Sequence, residues 1–99
     1  MKISKSVNDS VLNISIEGRL DTTTAPELEN EISGAFEGIN QVNLDFTTLE
    51  YISSAGLRII LGMQKQMNRQ GGAMTVRNVS AEIMEIFDVT GFSDILTIE

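Results

Sequence analysis

Ninety-nine residues, 41% hydrophobic and 21% charged, read as one compact domain over 1–99: enough apolar material for a core, too little length for two. Seven basic against fourteen acidic residues give a net charge of −7, and no run of Lys or Arg tracks a nucleic-acid backbone or an anionic membrane surface, so nucleic acid is not an expected partner. The absence of both cysteine and histidine excludes disulfide scaffolds, thiol and Ser-His-Asp nucleophiles, His-ligated zinc and imidazole acid-base chemistry.

The start, Met1-Lys2-Ile3-Ser4-Lys5, is not followed by an apolar run, so no secretory signal is expected. Nothing approaches the roughly 20 apolar residues of a membrane span, and the expectation is a cytoplasmic protein without direct membrane insertion. After Val7, the turn-forming Asn8-Asp9-Ser10 precedes an alternation of Leu12, Ile14 and Ile16 with Asn13, Ser15 and Glu17, which predicts a hairpin whose second strand has one buried face. A polar connection, Gly18 to Thr23, leads to Thr24-Ala25-Pro26-Glu27, whose spacing predicts a capping box with Pro in the first turn. Leu28, Ile32, Ala35 and Phe36 then form one helical stripe, with Gly38 as the stop.

Val42, Leu44 and Phe46 alternate with polar residues in a third strand beginning near Gln41. After Leu49 and Ile52 comes Ser53-Ser54-Ala55-Gly56, then a helix of about 15 residues carrying Leu57, Ile60, Leu61 and Met67, closed by Gly71-Gly72. Met74, Val76 and Val79 suggest a fourth strand, Ser80 caps a helix bearing Ile83, Met84, Ile86 and Phe87, Gly91 ends it, and Ile95, Leu96 and Ile98 form a short last strand. Strands alternating with helices predict an α/β sandwich: a mainly parallel mixed sheet of four to five strands with an N-terminal hairpin strand and helices packed on it.

The serine pair is the most informative junction. Ser54 is placed at the N-cap of the long helix, where its hydroxyl either satisfies a free N–H or stands ready to hold a phosphate at the positive end of the helix. Gly56 in a first turn costs roughly 1 kcal/mol relative to Ala, for which close packing of the helix on the sheet and access to Ser54 are the two available reasons. Asp21-Thr22-Thr23-Thr24 follows an earlier strand and is expected on the same carboxyl edge as Ser53 and Ser54. Arg58, away from the side marked by Leu57, Ile60 and Leu61, is expected to face solvent. Gly71-Gly72 has the wrong order for a phosphate loop, and the methionines read as core filler. Asp45 and Glu50 lack further ligands of suitable spacing, so no metal and no cofactor is expected.

Taken together, Gly18-Arg19-Leu20-Asp21 with its threonine loop, Val42-Asn43-Leu44-Asp45-Phe46, Tyr51-Ile52-Ser53-Ser54-Ala55-Gly56-Leu57, Gly71-Gly72 and Ile86-Phe87-Asp88-Val89-Thr90-Gly91-Phe92 resemble, over essentially the whole chain, the STAS domains and among them the stand-alone anti-sigma factor antagonists of bacteria. The resemblance implies a switch in which the unphosphorylated protein binds an anti-sigma factor, a serine kinase of the histidine-kinase-like ATPase fold, and so frees a sigma factor. Phosphorylation dissociates the pair and a metal-dependent serine phosphatase resets it. Matched residue by residue, the modified serine falls on Ser54, with Asp21, Thr22, Thr23, Ser53, Gly56, Leu57 and Arg58 in or beside the docking surface. Many members carry aspartate where this chain has Ser53, a second hydroxyl beside the first. The chain also stops at Glu99, before the further C-terminal helix of many relatives, which implies a less covered sheet edge or face.

The same resemblance covers STAS subunits of membrane lipid-transport complexes of the ABC type, the alternative reading. An enzyme with Ser54 as nucleophile lacks a histidine base, and the nearest lysine, Lys65, lies about three helical turns away. A small-molecule sensor is left open: the edge loops have room to hold a nucleotide, although no phosphate-cradling glycine loop is present. Homodimerisation is left open.

Overall fold

A computed structural model describes residues 1–99. Strands β1 (Lys2–Asn8) and β2 (Val11–Leu20) form the expected antiparallel hairpin, with Asp9 in the left-handed region at its turn. There follow α1 (Ala25–Ile32), β3 (Gln41–Asp45), β4 (Leu49–Ile52), α2 (Ser54–Arg69), β5 (Ala73–Arg77), α3 (Ala81–Thr90) and β6 (Thr97–Ile98). The sheet runs β1-β2-β3-β5-β6, with β4 paired to β2, and every pairing after the hairpin is parallel.

Strand register converts the alternation seen in the sequence into two chemically different faces. Leu12, Val42 and Met74 lie side by side, as do Ile14, Leu44 and Val76, and all six are buried under the helices. On the other face the same ladders align Asn13 with Asn43 and Thr75, and Ser15 with Asp45 and Arg77. Amide hydrogen bonds tie this polar face together: Asn43 Nδ2 donates to Asn13 Oδ1 (3.0 Å), and Gln41 Nε2 to Asn43 Oδ1 (2.9 Å) and Thr75 Oγ1 (3.2 Å). Twenty-two buried apolar residues form one cluster on the helix side, with Leu57, Ile60, Met63 and Met67 supplied by α2 and Ile83 and Phe87 by α3. Leu61, expected on the buried side, is only half-buried.

Four sequence expectations are corrected by the structure. The sheet has six strands, not four to five, because β4 pairs with the far half of β2. A register shift between Gly18 and Arg19 lets one ten-residue strand serve two parallel neighbours in succession, β3 along Val11–Ser15 and β4 along Gly18–Leu20. Helix α1 stops at Ile32, well before Gly38, since Ser33 is extended and Gly34 is left-handed. Phe36 is nonetheless buried, and Gln70 Nε2 fastens this connection by donating to the carbonyls of Phe36 (2.8 Å) and Ile39 (2.7 Å). The capping box is not formed: Thr24 makes no side-chain cap bond, and its hydroxyl donates to Arg19 O (2.7 Å) and accepts from Asp21 N–H (2.8 Å). Finally, β6 contains only Thr97 and Ile98, while Ile95 and Leu96 follow a 3-10 turn over Phe92–Asp94.

The local signals at α3 hold: Ser80 Oγ accepts the Ile83 N–H (3.2 Å), and Gly91 ends the helix in the left-handed conformation.

Candidate functional site

The carboxyl ends of β2 and β4 lie side by side, so the segments leaving them share one edge. Leu20 pairs with Ile52, and the Ser53 N–H donates to Leu20 O (2.9 Å). This brings the Asp21 loop and the start of α2 together, as the parallel arrangement predicts.

At that start, the N-cap is Ser53, not Ser54. Ser53 is extended, its Oγ accepts the Gly56 N–H at 3.4 Å, and its carbonyl accepts the Leu57 N–H at 2.9 Å. The correction comes from the backbone: Ser53 is still tied to the end of β2, so helical geometry begins one residue later. Ser54 is the first residue of α2, exposed, with its hydroxyl outside the cap bond. The first turn carries no acidic residue, so no side chain of its own offsets the partial positive charge of the exposed N–H groups.

Gly56 is explained by packing. A Cβ there would lie 2.7 Å from Leu20 Cγ and 3.0 Å from Ile52 Cγ1, so α2 begins pressed onto the ends of β2 and β4. Of the residues suggested for a docking surface, Ser54, Arg58, Thr22 and Thr23 are exposed and Asp21 and Ser53 are half-buried. Gly56 and Leu57 lie beneath them in the core and set the height of the surface without presenting side chains to it.

Asp21 organises its own loop. Its Oδ1 accepts from Thr23 Oγ1 (2.7 Å), Thr23 N–H (3.0 Å) and Thr24 N–H (3.2 Å), and its carbonyl accepts from Ala25 N–H (2.7 Å). The Thr23 hydroxyl, assisted by the backbone N–H groups of Thr24 and Thr23 and the Thr24 hydroxyl, holds this carboxyl below the usual aspartate value of 3.8. Asp21 therefore stays ionised and fixes the threonine loop.

Two residues on the same edge carry no separate sequence signal. Arg19 and Tyr51 are register partners across β2 and β4; the guanidinium lies 4.4 Å from the Tyr51 ring centroid, and Arg19 Nε is 3.7 Å from Asp21 Oδ2. Their encounter depends on β4, whose four residues show no alternation from which a strand can be read.

Beside the serines, α1, the following turn and α2 enclose a groove of about 690 Å³ with Ile32, Phe36, Ile59 and Met63 among its lining; Arg58 is its only basic residue, and Glu29 and Glu37 also line it. Elsewhere, Asp45 is committed to Thr47 and Asn78, and no group of three or more His, Cys, Asp or Glu side chains is arranged to hold a metal ion.

Comparison with known proteins places this geometry in a family. The chain is 29% identical over 91 residues to the anti-sigma-B factor antagonist of Bacillus subtilis (strain 168), covering 92% of this chain and 84% of that one. Its fold matches the anti-sigma factor antagonist SpoIIAA in its unphosphorylated form with a TM-score of 0.78 at 20% identity, over 99% of this chain and 87% of that one. The Bacillus cell fate determinant SpoIIAA in the phosphorylated form matches with a TM-score of 0.77 at 19% identity, over 99% and 91%. The STAS domain family model matches residues 2–99, and the chain belongs to the STAS domain family.

Proposed function

We propose that this protein is an anti-sigma factor antagonist whose binding to an anti-sigma factor serine kinase is switched off by phosphorylation of Ser54. The observation that carries the reading is the placement of Ser54: an exposed hydroxyl at the first position of α2, outside the cap bond of Ser53 and beside the Asp21 loop. The relatives named as anti-sigma factor antagonists supply the partner class.

In the reaction the γ-phosphoryl group of ATP is transferred to Ser54 Oγ. A new P–O bond forms, the bond to ADP breaks and the hydroxyl proton leaves. The catalytic groups and the metal belong to the kinase; a metal-dependent serine phosphatase then cleaves the Ser54 Oγ–P bond with water, restoring the hydroxyl and releasing inorganic phosphate. The modification adds about −1.5 to −2 charge at neutral pH, which a helix start tolerates, so the fold is retained. At a docked surface the same dianion is desolvated against the partner. A loss of about 3 kcal/mol weakens binding more than a hundredfold.

The test is to incubate the protein and its Ser54→Ala variant with ATP and the histidine-kinase-like ATPases of its own genome, then locate any phosphate by fragmentation mass spectrometry. Phosphate on Ser54, with release of a complex formed by the unmodified protein, is the expected result. No modification and no complex with every such ATPase would remove the reading.

A further inference from the structure

We propose that Arg58 is the built-in counter-ion of a phosphate on Ser54, so that modification draws its guanidinium from the mouth of the α1–α2 groove onto the start of α2. This rests on Ser54 being the modified serine and adds what the rest of the helix does in response.

Ser54 and Arg58 are four residues apart on one helix, both exposed, and so lie on one face. Helical side chains lean toward the N-terminus, which aims the Arg58 stem back along the turn that Ser54 opens. An anion N-terminal to a cation at this spacing is the favourable order, and a guanidinium matches phosphate oxygens with two parallel N–H donors.

Arg58 is also without an ion-pair or side-chain hydrogen-bond partner, as are Lys2 and Lys65, and of these three it alone stands one turn from Ser54 on the same helix face. The three ion pairs of the protein use Lys5, Arg19 and Arg77. Arg19, on the same edge, is occupied by the Tyr51 ring and by Asp21. Lys65, on the same helix, lies about three turns from Ser54. The carboxylates that compete for Arg58 are Glu29 of α1 and Glu37 of the following turn, which line the same groove without reaching ion-pair distance. Asp21, on the neighbouring loop of this edge, opposes a phosphate and does not compete for the arginine.

The switch then has two parts. In the unmodified protein the groove presents one unpaired cation to a partner carboxylate. After modification the edge gains a dianion and the groove loses that cation to it.

The experiment uses the full chain with phosphoserine installed at position 54 during translation, so that no kinase is needed, and follows the phosphate by phosphorus NMR across a pH titration. Relative to the phosphorylated wild type, Arg58→Gln is expected to raise the second phosphate pKa, ordinarily about 6, by about 0.3 to 0.5 unit, because removing a cation disfavours the dianion. Arg58→Lys retains the charge and is expected to fall between the two. In the wild type the Arg58 Nε–Hε resonance should move with the phosphate titration. Superimposable titrations for wild type and Arg58→Gln, with a stationary Nε–Hε resonance, would overturn the proposal. Thermal melting of the unmodified variants confirms that they fold. Failure of every kinase to modify Ser54, read in the separate experiment above, counts against the proposed function and not against this pairing.

Discussion

Gly56 and Leu20 meet so closely that a Cβ added at position 56 would lie 2.7 Å from Leu20 Cγ, and any side chain there forces a neighbour to move. This contact presses the start of α2 onto the carboxyl ends of β2 and β4 and thereby sets where Ser54 emerges. Gly56→Ala should therefore destabilise the protein by about 1 to 2 kcal/mol, the overpacking cost exceeding the gain in helix propensity. Urea unfolding measures it. With Leu20→Ala the two losses should sum to less than their separate values, because the smaller residue removes the clash. A Gly56→Ala protein more stable than wild type would contradict the contact.

Gly62 gives the opposite expectation from the same residue type on the same helix. A Cβ there meets nothing within 4 Å. Gly62→Ala should stabilise the protein by about 0.5 to 1 kcal/mol, seen as a higher urea midpoint with an unchanged slope.

The two adjacent serines separate into a structural and a chemical role. Ser53→Ala removes the cap to Gly56 N–H and should cost about 0.5 to 1 kcal/mol, at the low end because that bond is 3.4 Å long. Ser54→Ala should change stability by less than about 0.5 kcal/mol. In a kinase assay the order reverses: Ser54→Ala loses the phosphate acceptor and Ser53→Ala keeps it. Phosphate found on Ser53 would exchange the assignments.

Asp45 sets a pH dependence. Its carboxylate accepts from the Thr47 hydroxyl, from Asn78 Nδ2 (2.9 Å) and from the Thr47 N–H (3.0 Å), and these bonds, the Thr47 hydroxyl first, hold its pKa below 3.8. A carboxyl with a lowered folded-state pKa contributes stability that is fully present above its unfolded value and is lost as pH falls through the folded one. Asp45→Asn should thus be less stable than wild type by roughly 1 kcal/mol at neutral pH, after allowance for solvent screening, and the two should converge in acid below 3.8. Urea midpoints taken along a pH series test this; a constant difference through the acid range would show that the carboxylate bonds are not its source.

Much of this architecture is legible from neighbours in the chain. The alternation from Leu12 to Ile16 and from Val42 to Phe46 marks the buried face of the sheet, and Ser80 and Gly91 bracket α3 through bonds made within a few residues. The expectation at Thr24 failed for a local reason of a different kind: two acceptors and donors compete for one hydroxyl, and the strand residue Arg19 and the loop residue Asp21 take it from the helix. Periodicity puts Phe36 on the stripe of a helix, yet it is buried from a turn, its carbonyl held by Gln70 from α2.

The sequence by itself determined the α/β order of elements apart from β4, the hairpin and the placement of a serine pair at the mouth of a helix, because each of these follows from periods and turn chemistry spanning only a few residues. Only the tertiary structure decided that Ser53 caps and Ser54 is free, that Gly56 answers to Leu20, and that Arg19 meets Tyr51. All three lie where the end of β2, after the register shift at Gly18, meets β4, whose Tyr51 is 32 residues from its partner Arg19 and outside the reach of any local pattern.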